Sequence, residues 1–197
     1  MGATKTVTSA VPAGVWCPVV SLYKDTPRQE IDIEATQKYF SHLIRGGVNG
    51  LVLQGSTAEA ALLSPQERID IIHTARKAAA DLDAPDFPLA AGISGQSTNE
   101  TLRLVDDAAR AGADFGLLLP PSYWPKAVGA DVILDFYREV ADESKIPIII
   151  YNVRRNKTQH SMSSALTTRS SSPASPPGST WVSMSSRNWL STPISSG

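Results

Sequence analysis

The sequence holds a single cysteine, Cys17, so no disulfide can form within the chain. Set between Trp16 and Pro18, it reads as a small buried apolar residue rather than a nucleophile. Histidine is nearly as scarce. His42, His73 and His160 show no ligand spacing, so no protein-built metal site is expected. No run of about 18 apolar residues occurs, which argues against a membrane-spanning helix. The formal net charge is −1, so neither nucleic acid nor a membrane surface is implied as a partner. No G-x-G-x-x-G or Walker A pattern follows the first apolar run. That weighs against a dinucleotide site, and no cofactor is expected.

The largest absence is local. Residues 154–197 contain no Asp or Glu, whereas residues 1–153 carry all 19. The same 44 residues hold five basic side chains and 14 serines, against nine serines in the first 153. So abrupt a shift marks a boundary. Three stretches are therefore expected: a flexible N-terminus (1–13), a folded part (14–153) and a basic, Ser-rich tail (154–197). The opening "MGATKTVTSAVPAG" has neither the apolar core of a secretory leader nor the arginine of a transit peptide. A cytoplasmic protein is the expectation. The Met1-Gly2 start with Thr6 fits a myristoylation pattern, but a frayed polar terminus is the preferred reading. Glycosylation matches at Asn99 and Asn156 carry no weight without a secretion signal.

Residues 14–153 alternate short apolar runs with amphipathic stretches. Strands are expected at 15–22, 50–54, 88–93, 115–120 and 147–153, and helices at 32–47, 64–82, 97–112 and 131–144. Tyr39, Phe40, Leu43 and Ile44 share one face of the first helix, and Gly46-Gly47 ends it. The second opens with Ser64 as N-cap, Pro65 at its first position and Glu67 closing a capping box. Ser97 and Glu100 suggest another box, and Gly112 a stop. The strand runs are continuously apolar, as in parallel strands covered on both faces. The fold class is therefore α/β. An open doubly wound sheet and a TIM-type barrel both fit. Polar residues gather where strands end: Gln54-Gly55-Ser56-Thr57, Pro120-Pro121-Ser122-Tyr123 and Tyr151-Asn152. In a barrel these ends share one mouth, where the chemistry sits.

"GVWCPVVSLY", "GLVLQGSTAEAALLSPQER", "AGADFGLLLPPSYW" and "IPIIIYNV" occur in this order. Together they resemble the dihydrodipicolinate synthase / N-acetylneuraminate lyase family, with a context closest to its 4-hydroxy-2-oxoglutarate aldolase-like members. The resemblance covers roughly residues 14–153 and implies an incomplete TIM (β/α)8 barrel of about five strands. It implies a carbon–carbon lyase acting on pyruvate or another small 2-keto acid through a Schiff base, in a family of homo-oligomers. The family's G-[ST]-[TN]-G-E motif matches Gly55-Ser56-Thr57-Ala58-Glu59. Ser56 and Thr57, with the N–H groups of their loop, would hold the substrate carboxylate. Alanine stands where the family has glycine, so a displaced or strained loop is expected at Ala58. Tyr151 matches the proton-shuttling tyrosine, hydrogen-bonded to the Ser56 hydroxyl. Tyr123 matches the tyrosine that reaches across a subunit interface to join the relay.

The resemblance then stops. Arg154 stands where the family's Y-N-x-P motif has proline. The Schiff-base lysine belongs on the next strand, about 30 residues after Tyr151. The sequence there is "PPGSTWVSM". Lys126, Lys145 and Lys157 are read as solvated surface charges at wrong positions. The apolar residues of the tail (Leu166, Trp181, Val182, Trp189, Leu190 and Ile194) are scattered among Ser, Thr and Pro. No sixth strand is expected there, and disorder is. Translation in another reading frame is the favoured explanation of the tail, with a genuine basic interaction segment as the other. Open edges on the first and fifth strands should make the chain prone to aggregate. With the lysine missing, impaired catalysis and doubtful self-assembly are the functional expectations. The alternative is a non-catalytic pseudoenzyme or fragment that binds a keto acid or a full-length homologue. Another phosphate-binding barrel enzyme is a third reading, although no glycine-rich phosphate loop is visible.

Overall fold

The computed structural model describes residues 10–123, 128–152 and 181–185. Five strands alternate with four helices in the expected order. They are β1 (Trp16–Pro18), α1 (Ile33–Arg45), β2 (Gly50–Leu53), α2 (Pro65–Ala80), β3 (Leu89–Gly92), α3 (Thr98–Ala111), β4 (Phe115–Leu118), α4 (Ala130–Glu143) and β5 (Ile148–Asn152). A further strand, β6, spans Trp181–Ser185. The sheet runs β1-β2-β3-β4-β5-β6, and every neighbouring pair is parallel. A doubly wound sheet reverses its strand order at a switch point. This sheet never reverses, which is the sequential order of a TIM barrel, and the chain forms part of one.

The sixth strand corrects the reading of the tail. Its backbone pairs with β5 over the whole strand, from Ile148–Trp181 to Asn152–Ser185. The edge of β5 is thus covered rather than open. Trp181 and Val182 are strong strand formers, and parallel pairing needs a backbone ladder more than a long apolar run. β6 begins 33 positions after β5, close to the spacing of one barrel repeat. Among the described residues, β1 pairs on one side only.

Strand alternation separates two faces. Leu51, Leu53, Leu89, Ala91, Leu118, Ile148 and Ile150 pack outward with Phe40, Ile71, Ile72, Val105 and Tyr137 of the helices. The other face gathers Trp16, Val52, Ala90, Phe115, Leu117 and Ile149, with Tyr151 packed against them. Trp16 meets Phe115 edge-to-face at a centroid distance of 5.9 Å, a favoured aromatic geometry. β2, β3 and β4 are buried along their whole length, as continuous apolar runs require.

The helix boundaries follow their caps. Ser64 Oγ accepts from Glu67 N, and Glu67 Oε2 accepts from Ser64 N, completing the box on α2. Ser64→Ala should cost about 1 kcal/mol, read as a lower urea midpoint with an unchanged slope. The box expected on α3 is only half formed. Ser97 Oγ accepts from Glu100 N, but the Glu100 carboxylate accepts from Gln96 N instead of Ser97 N. Gly112 ends α3 in the left-handed region, at φ +99°.

Candidate active site

All six strands point the same way, so their carboxyl ends share one rim. Of the loops there, the one after β2 is the most constrained. Gln54 leaves the strand at φ +56°, and Glu59 sits at φ +53°. Between these left-handed residues, Ser56–Ala58 form one turn of 3-10 helix, followed by another at Ala60–Leu62. Ala58 itself therefore carries no left-handed strain. Ala58 is buried within the right-handed turn, and the left-handed residue that follows it is Glu59. Ser21 Oγ, from the loop that follows β1, donates to Ala58 O at 2.7 Å and holds the turn from the other side.

Ser56 and Thr57 are exposed at this rim. The first residues of a 3-10 turn lack intrahelical acceptors for their N–H groups. Among the described residues, no hydrogen bond uses the backbone N–H or the hydroxyl of either one. Two hydroxyls and two N–H groups thus stand together with unspent capacity, a suitable set for a small carboxylate.

Tyr151 lies at the carboxyl end of β5, half-buried against the inner-face cluster. The hydrogen bond between Tyr151 and Ser56 that the resemblance implies is not formed among the described residues. Catalytic hydrogen bonds of this kind often tighten only when substrate is present. Tyr123 follows β4 and is 73% exposed. Its position is set by its backbone: Gln96 Oε1 accepts from both Ser122 N and Tyr123 N at 3.0 Å. Ser94 Oγ accepts from Leu119 N at 2.8 Å. The loop after β3 therefore pins the loop after β4.

Several supporting residues were not singled out from the sequence. The buried Arg68 donates from Nη1 to Ala60 O at 2.8 Å and from Nη2 to Gly92 O at 2.9 Å. Its own carbonyl accepts from the buried Gln54 Nε2 at 2.6 Å. Burial lowers the pKa of this guanidinium, and the Glu100 charge opposes the shift. Burial likewise raises the Tyr23 phenol, with Ser21 pulling it down and Glu59 adding to the rise. In the sequence, Arg68 follows a helix cap, where charged residues usually face solvent. Only the tight approach of β3 makes it an interior group.

Lys145 precedes β5, at the opposite end of the strands, and pairs with Asp106 at 2.8 Å. Lys126, Arg154 and Lys157 lie outside the described residues. β6 reads Trp-Val-Ser-Met-Ser and contains no lysine. Among the described residues, no group of three or more His, Cys, Asp or Glu could hold a metal ion.

The sequence of residues 12–171 matches that of the dihydrodipicolinate synthetase family. The chain belongs to this family. It is 42% identical over 139 residues to a protein of Coccidioides immitis named as a mitochondrial 4-hydroxy-2-oxoglutarate aldolase, covering 71% of the chain and 43% of that relative. An Emericella nidulans protein named for the same activity and compartment is 40% identical over 139 residues, 71% of the chain and 44% of the relative. Among solved structures, a dihydrodipicolinate synthase family protein from C. immitis superposes with a TM-score of 0.74 at 31% identity. That match covers 91% of the chain and 62% of the structure. YagE, an E. coli K12 prophage protein of the dihydrodipicolinic acid synthase family solved in complex with pyruvate, gives a TM-score of 0.64 at 29% identity. It covers 73% of the chain and 45% of YagE.

Family and strand order agree on part of a TIM barrel. It spans less than half the length of the curated relatives it matches. The names of the two fungal relatives overturn the cytoplasmic expectation. Compartment is not encoded in the packed strands and helices that these proteins share, and leader composition was a weak guide to it.

Proposed function

We propose that the chain carries the keto-acid-binding half of a 4-hydroxy-2-oxoglutarate aldolase-like lyase, located in mitochondria. The carboxylate of pyruvate, or of another small 2-keto acid, lies against Ser56, Thr57 and the N–H groups of their turn. Tyr151, on the inner face of the sheet, donates a hydrogen bond to the substrate carbonyl, and its phenol is suited to shuttle protons only where an imine-forming lysine is present. Tyr123 joins from a neighbouring subunit when one is present. The observation that carries this reading is the pair of exposed hydroxyls and unspent N–H groups between Gln54 and Glu59, in a chain of this family.

Catalysis by this chain is impaired in the same reading. A class I aldolase needs a neutral lysine amine to attack the ketone and form the imine. The strand that follows the tyrosine strand is β6, and it offers Ser183 and Met184 beside Ile150 and Tyr151 but no lysine. The chain therefore binds a keto acid without activating it. The change of composition after Val153 supports a tail read in another frame. The coding DNA tests this: an alternative frame should encode a proline, a strand and a lysine. No such frame would overturn the explanation.

The binding half of the proposal is tested with pyruvate itself. It should raise the melting temperature of the wild-type chain, and Ser56→Ala with Thr57→Val should abolish that rise. A rise that survives the double substitution would move the carboxylate site elsewhere. Cleavage of 4-hydroxy-2-oxoglutarate should stay at the buffer rate.

A further inference from the structure

Among the described residues Arg68 is the one buried arginine. Arg76, Arg110 and Arg138, which are more exposed, each meet a carboxylate. Arg68 is 8% exposed, and it forms no ion pair among the described residues. A buried cation without an acid is costly unless its donors are satisfied. Its donors go to the backbone instead, to Ala60 O beyond the Ser56–Thr57 turn and to Gly92 O at the end of β3. Its carbonyl is tied to the Gln54 side chain, at the entry to the same turn. One residue therefore grips both ends of the segment from Gln54 to Ala60 and fixes it to the neighbouring strand.

Each end of that segment includes a left-handed non-glycine residue. Such backbone is costly and persists only when its surroundings over-determine it. Arginine suits the task because its planar fork reaches two carbonyls at once, whereas lysine offers a single flexible point. The charge matters as well. Donors already held in place bind an anion without paying for their own ordering, and a buried cation behind them adds a favourable field.

We infer that Arg68 is a positioning residue for carboxylate binding, holding the Ser56 and Thr57 donors in register through Ala60 and Gly92. The inference rests on the proposed keto-acid site and extends it to a residue that does not touch the ligand.

The test is a pyruvate titration followed by the amide NMR signals of Ser56 and Thr57, at a temperature where every variant is folded. Arg68→Met should weaken the pyruvate Kd at least tenfold and move both amide signals before any ligand is added. Arg68→Lys, which keeps the charge and disturbs the fold least, should recover only part of the affinity. Arg76→Met, at the opposite end of the sheet, should lower stability and leave the Kd unchanged. Wild-type chain that shows no pyruvate shift at Ser56 and Thr57 overturns the keto-acid site and this role with it. Wild-type binding that Arg68→Met leaves unaltered overturns the role of Arg68 alone. If Arg68→Met does not fold, the lysine variant decides, because full wild-type affinity there contradicts a two-point clamp.

Discussion

Gly92→Ala should destabilise the chain by about 3 kcal/mol, near the upper end for adding one methyl to a packed interior. A Cβ at Gly92 would stand 2.0 Å from Gln54 O and 2.8 Å from Gln54 C. Both are backbone atoms, so no side chain can swing aside. Gln54 is already at φ +56°, and its side chain is committed to Arg68 O. Relief must therefore come from separating the ends of β2 and β3 or from moving the turn that carries Ser56 and Thr57. Either movement also draws Gly92 O away from Arg68. Chemical denaturation should show the loss, and pyruvate should no longer raise the melting temperature. A change below about 0.5 kcal/mol, the level of an ordinary surface substitution, would mean that the approach of Gln54 to Gly92 is not as tight as described.

Arg76→Ala should cost a similar amount, about 3 kcal/mol, with no effect on the carboxylate loop. Arg76 reaches Gly112 O through Nε and Nη2, Pro85 O and Phe87 O through Nη1, and Asp114 Oδ2 through Nη2 at 2.8 Å. Asp114 Oδ2 also accepts from Leu89 N. The side chains of Arg76 and Asp114 are 20% and 15% exposed, well below an open surface pair. Truncation withdraws a donor from three carbonyls and the cation from a half-buried carboxylate. Losing such a network costs far more than losing an exposed ion pair. The cluster ties α2 to the starts of β3 and β4, at the end of the sheet away from Ser56. A melting temperature lower by about 10 °C is expected. A Tm within 2 °C of wild type would contradict the structural role.

Helix starts were legible because caps are local chemistry: Ser64, Pro65 and Glu67 announce α2 within four positions. Strands β2 to β4 were legible because burial on both faces leaves an apolar run. Strand order was not, since doubly wound and barrel connections use the same local units, and only the unbroken parallel order separates them. β6 was missed because its sequence, WVSMS, lies in a serine-rich stretch, and its pairing to β5 is a long-range property. Arg68 was missed for a related reason. Its neighbours Ala60 and Gly92 are 8 and 24 residues away, and no periodicity brings them together.

The site was legible by a different route. Ser56, Thr57, Tyr123 and Tyr151 stand out by motif resemblance, not by spacing. The structure sets Ser56, Thr57 and Tyr123 in loops that follow strand ends, and Tyr151 near the end of β5 on the inner face. Ala58 shows the limit of motif reasoning. Alanine in place of glycine suggests a displaced or strained loop, whereas Ala58 sits in a right-handed turn and the left-handed residues are Gln54 and Glu59.

On the proposed reading, this chain keeps a keto-acid site and lacks the amine that activates the substrate. The most direct measurement is borohydride reduction in the presence of pyruvate, followed by intact-mass and peptide analysis. No lysine adduct is expected in this chain, under conditions where a full-length family member is trapped. A pyruvyl adduct on any lysine, whether Lys126, Lys145, Lys157 or another, would contradict it and identify the nucleophile directly.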